Sequence, residues 1–534
     1  ETTSLCEALE TCLRAEDYVV IEADLGALCG FEDALAAAAL LVLPDAADLP
    51  MESVDPIRKY LESGGDILAL NAPLWQRGLI DDDGQWVDRD TYQRNHAAGL
   101  LGTVLFDFAE ADLAGWRRGS NDRTIAAEHS GVPVEHADFT HALKVSMQDM
   151  TGWETFRSPD LDRPFPEGHT LTVFYAKGDE KTPELSIEWG ETDGSRWIAT
   201  VPLGSEWRQY VLAPKDFKFW ESVPARKKGR FQPEYAVYMT VGLSHTHASA
   251  ESGPHTYWLG AFGTASRTPE HEKLLTRFER PALEILSPGY KFFEPTGVSA
   301  LVVREDQVIT PIRSLPMPAA MRSTHPRPRV AGYDKGRAWR WLPLLEARTG
   351  DGAWRGVPAE MLVHSAGWYA GGVWASFAID DPDWYAQSAA QDCVRDVLHA
   401  MRRGIFLIDG GAQYYTYYDD QTARLGGRVA ALNGAGPAGL DLHVSVQDAA
   451  SGDEVFACVL DTTSETETPW QPDAWPEEGY EVRVELRNGD GIVDMASHRI
   501  HVWRPDADPE YMTVEGGNFM LGGERWRANG VNYM

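Results

Sequence analysis

The sequence predicts a multidomain protein of mixed class, α/β plus all-β, and three observations carry that prediction. Its 534 residues exceed what one hydrophobic core organises, since domains run to about 100 to 200 residues. The first hundred residues alternate helix-period with strand-like runs, the pattern of a parallel sheet crossed by helices. From about residue 103 to 264 the apolar period falls to two, in short runs bounded by Gly, Pro, Asp or Ser, which is the pattern of a β-sandwich.

Leu5, Leu9, Cys12 and Leu13 share one face of a helix, and residues 18–21 and 40–43 read as short apolar strands, the second closed by Pro44. A helix over 51–63 places Val54, Ile57, Tyr60 and Leu61 on one side, stops at Gly64 and Gly65, and gives way to a buried strand at 66–70. A parallel partner for 18–21 is expected before the first helix, so the N-terminus reads as clipped. In the middle region strands are expected over 170–175, 185–189, 197–201, 208–212, 238–243 and 257–262. A helix-prone bridge at 270–280 leads to strands at 299–303 and 360–364, a helix at 393–402 and a strand at 404–408, which complete the sheet begun before residue 75. The sandwich is then an insertion in the α/β domain. A third region, with strands over 440–446, 454–460, 480–486 and 497–503, has the size of a small immunoglobulin-like sandwich. The last stretch holds turns at Gly516-Gly517 and Gly522-Gly523.

Composition narrows the function. The chain carries 48 Lys and Arg against 81 Asp and Glu, a formal net charge of −33 that repels nucleic acid and anionic lipid alike. The longest apolar run, residues 34–43, falls far short of the roughly 20 residues of a membrane span. Cys6, Cys12, Cys29, Cys393 and Cys458 form no CxxC or Cys/His cluster and read as small core residues.

Several motifs resemble catalytic ones and fail on context. Gly434-Ala-Gly436-Pro-Ala-Gly439 has dinucleotide-loop spacing, but the residues after it alternate as a strand, so no helix N-terminus awaits a phosphate. Asn71-Ala72-Pro73 stands after the 66–70 strand and supplies neither thiol nor hydroxyl. His364 and Ser365 are neighbours without the flanking glycines of a nucleophile elbow. His245 and His247 fall on one face of an expected strand with His255 nearby, a metal-like spacing that equally fits a wet face. Asp107, Glu110 and Asp112 offer hard oxygen ligands for calcium, or are solvated loop carboxylates.

The aromatic content of the middle region carries more. Trp153, Trp189, Trp197, Trp207, Tyr210, Trp220 and Trp258 are interleaved with Arg157, Glu188, Arg196, Asp216 and Lys218. Sugars stack C–H faces on flat rings and need paired polar groups for their hydroxyls, so these residues are candidates for binding a poly- or oligosaccharide. The competing reading is that the rings fill a core.

Three stretches resemble known families. Trp207-Arg-Gln-Tyr-Val-Leu-Ala-Pro214, followed by Asp216-Phe217, and Tyr257-Trp-Leu-Gly-Ala-Phe-Gly263 resemble the paired strands of jelly-roll carbohydrate-binding modules of the galactose-binding-like kind. Such modules often carry a calcium-binding Asp on the last strand, and here that strand has no acid. Residues 18–75, with Trp339-Arg-Trp-Leu-Pro-Leu-Leu-Glu346 and Val373-Trp-Ala-Ser-Phe-Ala-Ile-Asp-Asp-Pro382, resemble the catalytically silent amidotransferase-like domain of large bacterial glycoside hydrolases. The closing segment 511–534 is similar to the entry into the TIM barrel of clan A glycoside hydrolases, whose two catalytic glutamates sit on later strands.

These resemblances imply five parts. They are an amidotransferase-like domain at 1–100 and 267–421, a jelly-roll module at 101–266, an immunoglobulin-like sandwich at 422–506, and the start of a barrel at 507–534. The expected role is non-catalytic glycan capture and scaffolding within a multimodular, secreted or periplasmic hydrolase, with no catalytic residue in this chain. Calcium is its one candidate cofactor, and the missing barrel or a second copy its candidate protein partner. The alternative is a structural or protein-interaction scaffold that binds no sugar.

Overall fold

In the computed structural model, which describes residues 3–30, 35, 37–109, 113–220, 229–248, 250–275, 290–326, 338–432, 434, 436, 439–462, 466–489, 491–504 and 510–527, the chain forms two compact units. Residues 1–77 with 280–534 make one, and residues 78–279, inserted within that chain, make the other.

In the first unit, helix Thr3–Ala15 turns Leu5, Leu9, Cys12 and Leu13 onto a core shared with helix Ser388–Arg403, through Cys393, Val394, Val397 and Met401. Strands Leu40–Leu43, Asp66–Ala69 and Val373–Phe377 pair in parallel. The parallel order then ends. Trp354–His364 runs antiparallel to Val373–Phe377, and Trp339–Arg348 antiparallel to Trp354–His364. The five residues between Trp339–Arg348 and Trp354–His364 are too few for a crossover, so this half of the sheet is a hairpin and the sheet is mixed.

Two expected strands go elsewhere. Among the described residues, 18–21 take no sheet partner; Tyr18 and Val20 pack on the core while Val19 stays 89% exposed, so this apolar run is a one-sided extended segment. The strand expected at 404–408 extends as Ile405–Ala412 and pairs antiparallel with Ala423–Ala431. It therefore joins the C-terminal sandwich and leaves the parallel sheet. That sandwich stacks Ile405–Ala412, Ala423–Ala431 and Thr466–Trp470 against a sheet of Thr416–Tyr417, Gly491–Val502, Tyr480–Asn488, Asp441–Asp448 and Glu454–Asp461. Leu407, Leu425, Leu442, Val444, Val482, Val484 and Ile500 fill the space between. Gly434, Gly436 and Gly439 precede its Asp441–Asp448 strand, so no helix follows the glycine-rich stretch.

A small three-stranded sheet, Thr513–Glu515, Asn518–Leu521 and Glu524–Arg525, comes next in the chain. Gly516 and Gly517 have φ of 56° and 78°, the paired positive values of a two-residue hairpin turn. The Gly-Val-Asn-Tyr run at 530–533 lies outside the described residues.

The inserted unit is a sandwich of two six-stranded sheets. One orders Lys218–Phe219, Arg196–Pro202, Glu184–Glu191, Ala236–Ser244, Trp153–Arg157 and Arg117–Ser120. The other runs Arg208–Leu212, His169–Gly178, Gly253–Ser266, His141–Met150 and Ala127–Pro133, with Thr103–Phe106 on Gly253–Ser266. Helix Arg89–Leu100, capped by the Asp88 carboxylate on the Thr91 N–H, completes the unit's edge through Tyr92, Leu100, Val173 and Val211.

Candidate functional site: a groove on the sandwich

The first of these sheets has two chemically different faces. Along Glu184–Glu191, Leu185, Ile187 and Trp189 enter the core, so Ser186 and Glu188 face outward. Trp197, Ala199 and Val201 likewise face inward on the next strand, leaving Arg196, Ile198 and Thr200 outside. Thr155 opposes Gly242 and Gly242 opposes Ser186; beside them Thr240 opposes Glu188 and Glu188 opposes Ile198. Residues directly opposite share a face, so these side chains form one floor. At Gly242 an added Cβ would strike the Glu154 carbonyl, and glycine there keeps the strands closed.

This floor is the base of a groove of about 560 Å³. Trp153 stands on it at the Trp153–Arg157 strand, 42% exposed, and Trp220 at the far edge, after Lys218–Phe219. Trp220 is fixed from two sides. The Arg196 guanidinium lies 4.8 Å from its ring centroid and the His247 ring 4.3 Å from it. Arg196 also grips Glu188 through two parallel hydrogen bonds, Nε to Oε1 at 2.7 Å and Nη2 to Oε2 at 2.6 Å. Burial pushes the Glu188 carboxyl up from the ordinary carboxylate value, and the hydrogen bonds and charge of Arg196 oppose that rise. Burial, with the Arg196 charge, holds His247 below the usual histidine value, so its imidazole is neutral at pH 7. The turn 245–247 closes the groove's end, where His245 donates from Nδ1 to the Ala250 carbonyl at 2.8 Å.

Among the described residues Glu188 is the one carboxylate in the lining, and it is held by Arg196. Glycoside hydrolysis needs two carboxyl groups about 5 to 9.5 Å apart across the scissile bond.

The structure sorts the seven aromatic candidates into three sets. Trp153 and Trp220 share the groove. Trp207 and Trp258 sit half-buried with the Lys177 ammonium 5.1 Å from each ring. Trp189, Trp197 and Tyr210 are core residues, corrected from ligand platforms because their inward register leaves no ring face to solvent. Glu188, Arg196, Thr155, Ser186 and Thr240 complete the groove, and the signal for Ser186 and Glu188 was the period of two that sets them between Leu185, Ile187 and Trp189.

The Asp107 carboxylate accepts the Ala109 N–H at 2.8 Å within its own loop, and Glu110 and Asp112 lie outside the described residues. Strand Ala236–Ser244 ends before His245, so His245 and His247 lie on a turn, while His255 is buried between Thr182 and the Glu251 carbonyl. Among the described residues no group of three or more His, Cys, Asp or Glu could hold a metal ion.

At the two turns of the first unit that the sequence singles out, no nucleophile is paired with a base. Asn71 adopts φ 64° after Asp66–Ala69, with its N–H on the Tyr385 hydroxyl at 3.0 Å. That sharp turn is buried and holds an amide. Neither His364 Nε2 nor Ser365 Oγ has a hydrogen-bond partner, so the two do not form a base and nucleophile pair.

No family model matches this chain, and no curated protein does. Among solved structures, a family 11 carbohydrate-binding module from Clostridium thermocellum, in complex with a β-1,3-1,4-mixed-linked tetrasaccharide, is 12% identical, with a TM-score of 0.24, over 30% of this chain and 94% of that one. The solution structure of CtCBM11 is 15% identical, with a TM-score of 0.26, over 32% of this chain and 99% of that one. An exo-β-agarase is 11% identical, with a TM-score of 0.24, over 32% of this chain and 26% of that one. Likenesses this distant carry no functional argument, which the groove's own residues must supply. Among the described residues no helix is long and apolar enough to cross a membrane.

Proposed function

We propose that the inserted sandwich binds a poly- or oligosaccharide chain in this groove, as the non-catalytic, carbohydrate-capturing part of a multimodular glycoside hydrolase. One observation carries the reading: two tryptophan rings, Trp153 and Trp220, bound a single floor of hydroxyl groups and one paired charge. Three strands separate the two strand edges that carry them, and at about 4.8 Å per strand spacing the floor suits several consecutive sugar rings. Ring faces take the sugar C–H surfaces, while Thr155, Ser186, Thr240 and His245 meet hydroxyls.

The finer architecture belongs to the same proposal. It comprises a jelly-roll, galactose-binding-like module, a silent amidotransferase-like domain, an immunoglobulin-like spacer, and a clan A barrel with retaining chemistry beyond this chain. Tethered capture would raise the barrel's local substrate concentration outside the cell. Burial of Trp189 and Trp197 favours the second reading, a scaffold whose aromatics serve packing alone.

Affinity electrophoresis of the whole chain through gels containing mixed-linkage glucan, agarose or xylan separates the two. Retardation by at least one glycan, weakened about tenfold or more in Trp153→Ala and Trp220→Ala, is expected. Unretarded migration in every gel would leave the scaffold.

A further inference from the structure

The second sheet of the inserted sandwich carries a row of its own on its outer face. Lys177 on His169–Gly178 opposes Trp258 on Gly253–Ser266, Trp258 opposes Lys144 on His141–Met150, and Lys144 opposes Ser130 on Ala127–Pro133. Their strand neighbours Ala176, Tyr257, Leu259, Leu143 and Val145 enter the core, so the row faces outward. Trp207, just before Arg208–Leu212, extends it, with its ring centroid 5.1 Å from the Lys177 ammonium. Lys177 lies 5.1 Å from the Trp258 centroid as well, and Lys144 flanks the same ring at 5.9 Å. The order across the sheet is ring, cation, ring, cation, hydroxyl, and all five side chains are half-buried.

Two features set this row apart from ordinary surface. Lysine on a sheet commonly guards an edge strand, but Lys144 and Lys177 stand on interior strands, each paired on both sides. In a chain of net charge −33, neither ammonium has a carboxylate partner among the described residues. Asp138 is taken by the Tyr175 hydroxyl at 2.6 Å, and Glu128 stands in the next row, opposite Ser146. The tryptophan rings steady the ammonium groups without neutralising them. Two strand spacings, about 9.6 Å, separate the strands that carry the two lysines. Fixed cations at that interval, with a ring between them, suit a chain bearing an acid on every second sugar: each acid meets an ammonium while the intervening sugar lies over Trp258. We propose that this face is a second binding site, for an acidic polysaccharide with one carboxylate or sulfate per disaccharide, on the sheet opposite the groove. Its charge pairs lie within a Debye length of about 8 Å, so they act locally against the charge of the whole chain. A nucleic acid carries its phosphates far more densely than this row.

The test uses the whole chain carrying Trp153→Ala and Trp220→Ala together, which removes the rings of the groove. Fluorescently labelled decasaccharides of hyaluronate, with a carboxylate on every second sugar, and of κ-carrageenan, with a sulfate on every second sugar, are followed by anisotropy at about 50 mM salt. At least one should bind, tenfold or more weaker at about 0.5 M salt. Adding Lys144→Gln with Lys177→Gln should weaken that binding tenfold or more. On the otherwise unaltered chain the two lysine changes should leave retention by neutral glucan gels as it was. If the lysine variant does not fold, by near-ultraviolet circular dichroism, Trp207→Ala decides in its place, with a loss of binding expected. Absence of binding by both decasaccharides, or binding indifferent to these changes, would overturn the proposal and leave the lysine stems as cover for the tryptophans. Equal or tighter binding of labelled decathymidylate would overturn it in favour of nucleic acid. Neutral-gel retention absent from the unaltered chain, with decasaccharide binding kept, would instead sink the groove reading alone.

Discussion

Two buried glutamates, one in each unit, meet opposite fates. Glu188 lies in the groove floor of the inserted sandwich, where Arg196 satisfies both its oxygens. Glu360 lies on the Trp354–His364 strand of the α/β unit, opposite Ser376, with the Trp341 indole N–H as its partner and Oε1 unpaired. Burial pushes Glu360 up to about 8, so it is mostly protonated at pH 7. A carboxylate held by a bidentate arginine at an open groove stays available as fixed polar surface. One enclosed by strands discards its charge and becomes part of the packing. The same contrast separates the floor of the groove, which lies open, from the end of the parallel strands, where Asn71 is buried against Tyr385.

Glu360 gives the largest expected effect. Its folded value lies above the unfolded 4.5, so its favourable contribution is complete below pH 4.5 and is lost as pH rises to about 8. Urea unfolding of the whole chain should therefore show a transition whose stability declines over that window, on the order of 5 kcal/mol. Glu360→Gln, which keeps an acceptor for Trp341, should flatten the decline, and an unchanged slope would erase the contrast with Glu188.

Arg196→Met comes next, because it strands Glu188. The expected loss is about 2 to 3 kcal/mol, low in the range for breaking a buried pair since the Arg196 side chain is 36% exposed. Adding Glu188→Gln should return most of it. The smallest effects belong to Trp153→Ala and Trp220→Ala, about 1.4 kcal/mol each in glycan affinity for a tenfold change. Trp153→Ala, at an exposed ring, should leave the unfolding midpoint nearly unchanged.

Local patterning was legible in the sequence wherever one residue's period decides its environment. The six strands expected between 170 and 262 are all present, because alternation of apolar and polar residues fixes which face each side chain takes. Helix Val54–Glu62 and its stop at Gly64, with φ 87°, arise from the same local rules. Pairing was not legible, since hydrogen-bond partners are chosen among distant segments that look alike. Residues 18–21 and the strand Ile405–Ala412 both read as members of the parallel sheet, yet among the described residues the first takes no sheet partner and the second joins a sandwich. The aromatic candidates divide the same way. Sequence identified tryptophans as the informative residues, but Trp189 and Trp153 carry the same ring. Only the tertiary register, which turns one into the core and sets the other on the rim of a groove with Trp220, decides which rings solvent and a sugar can reach.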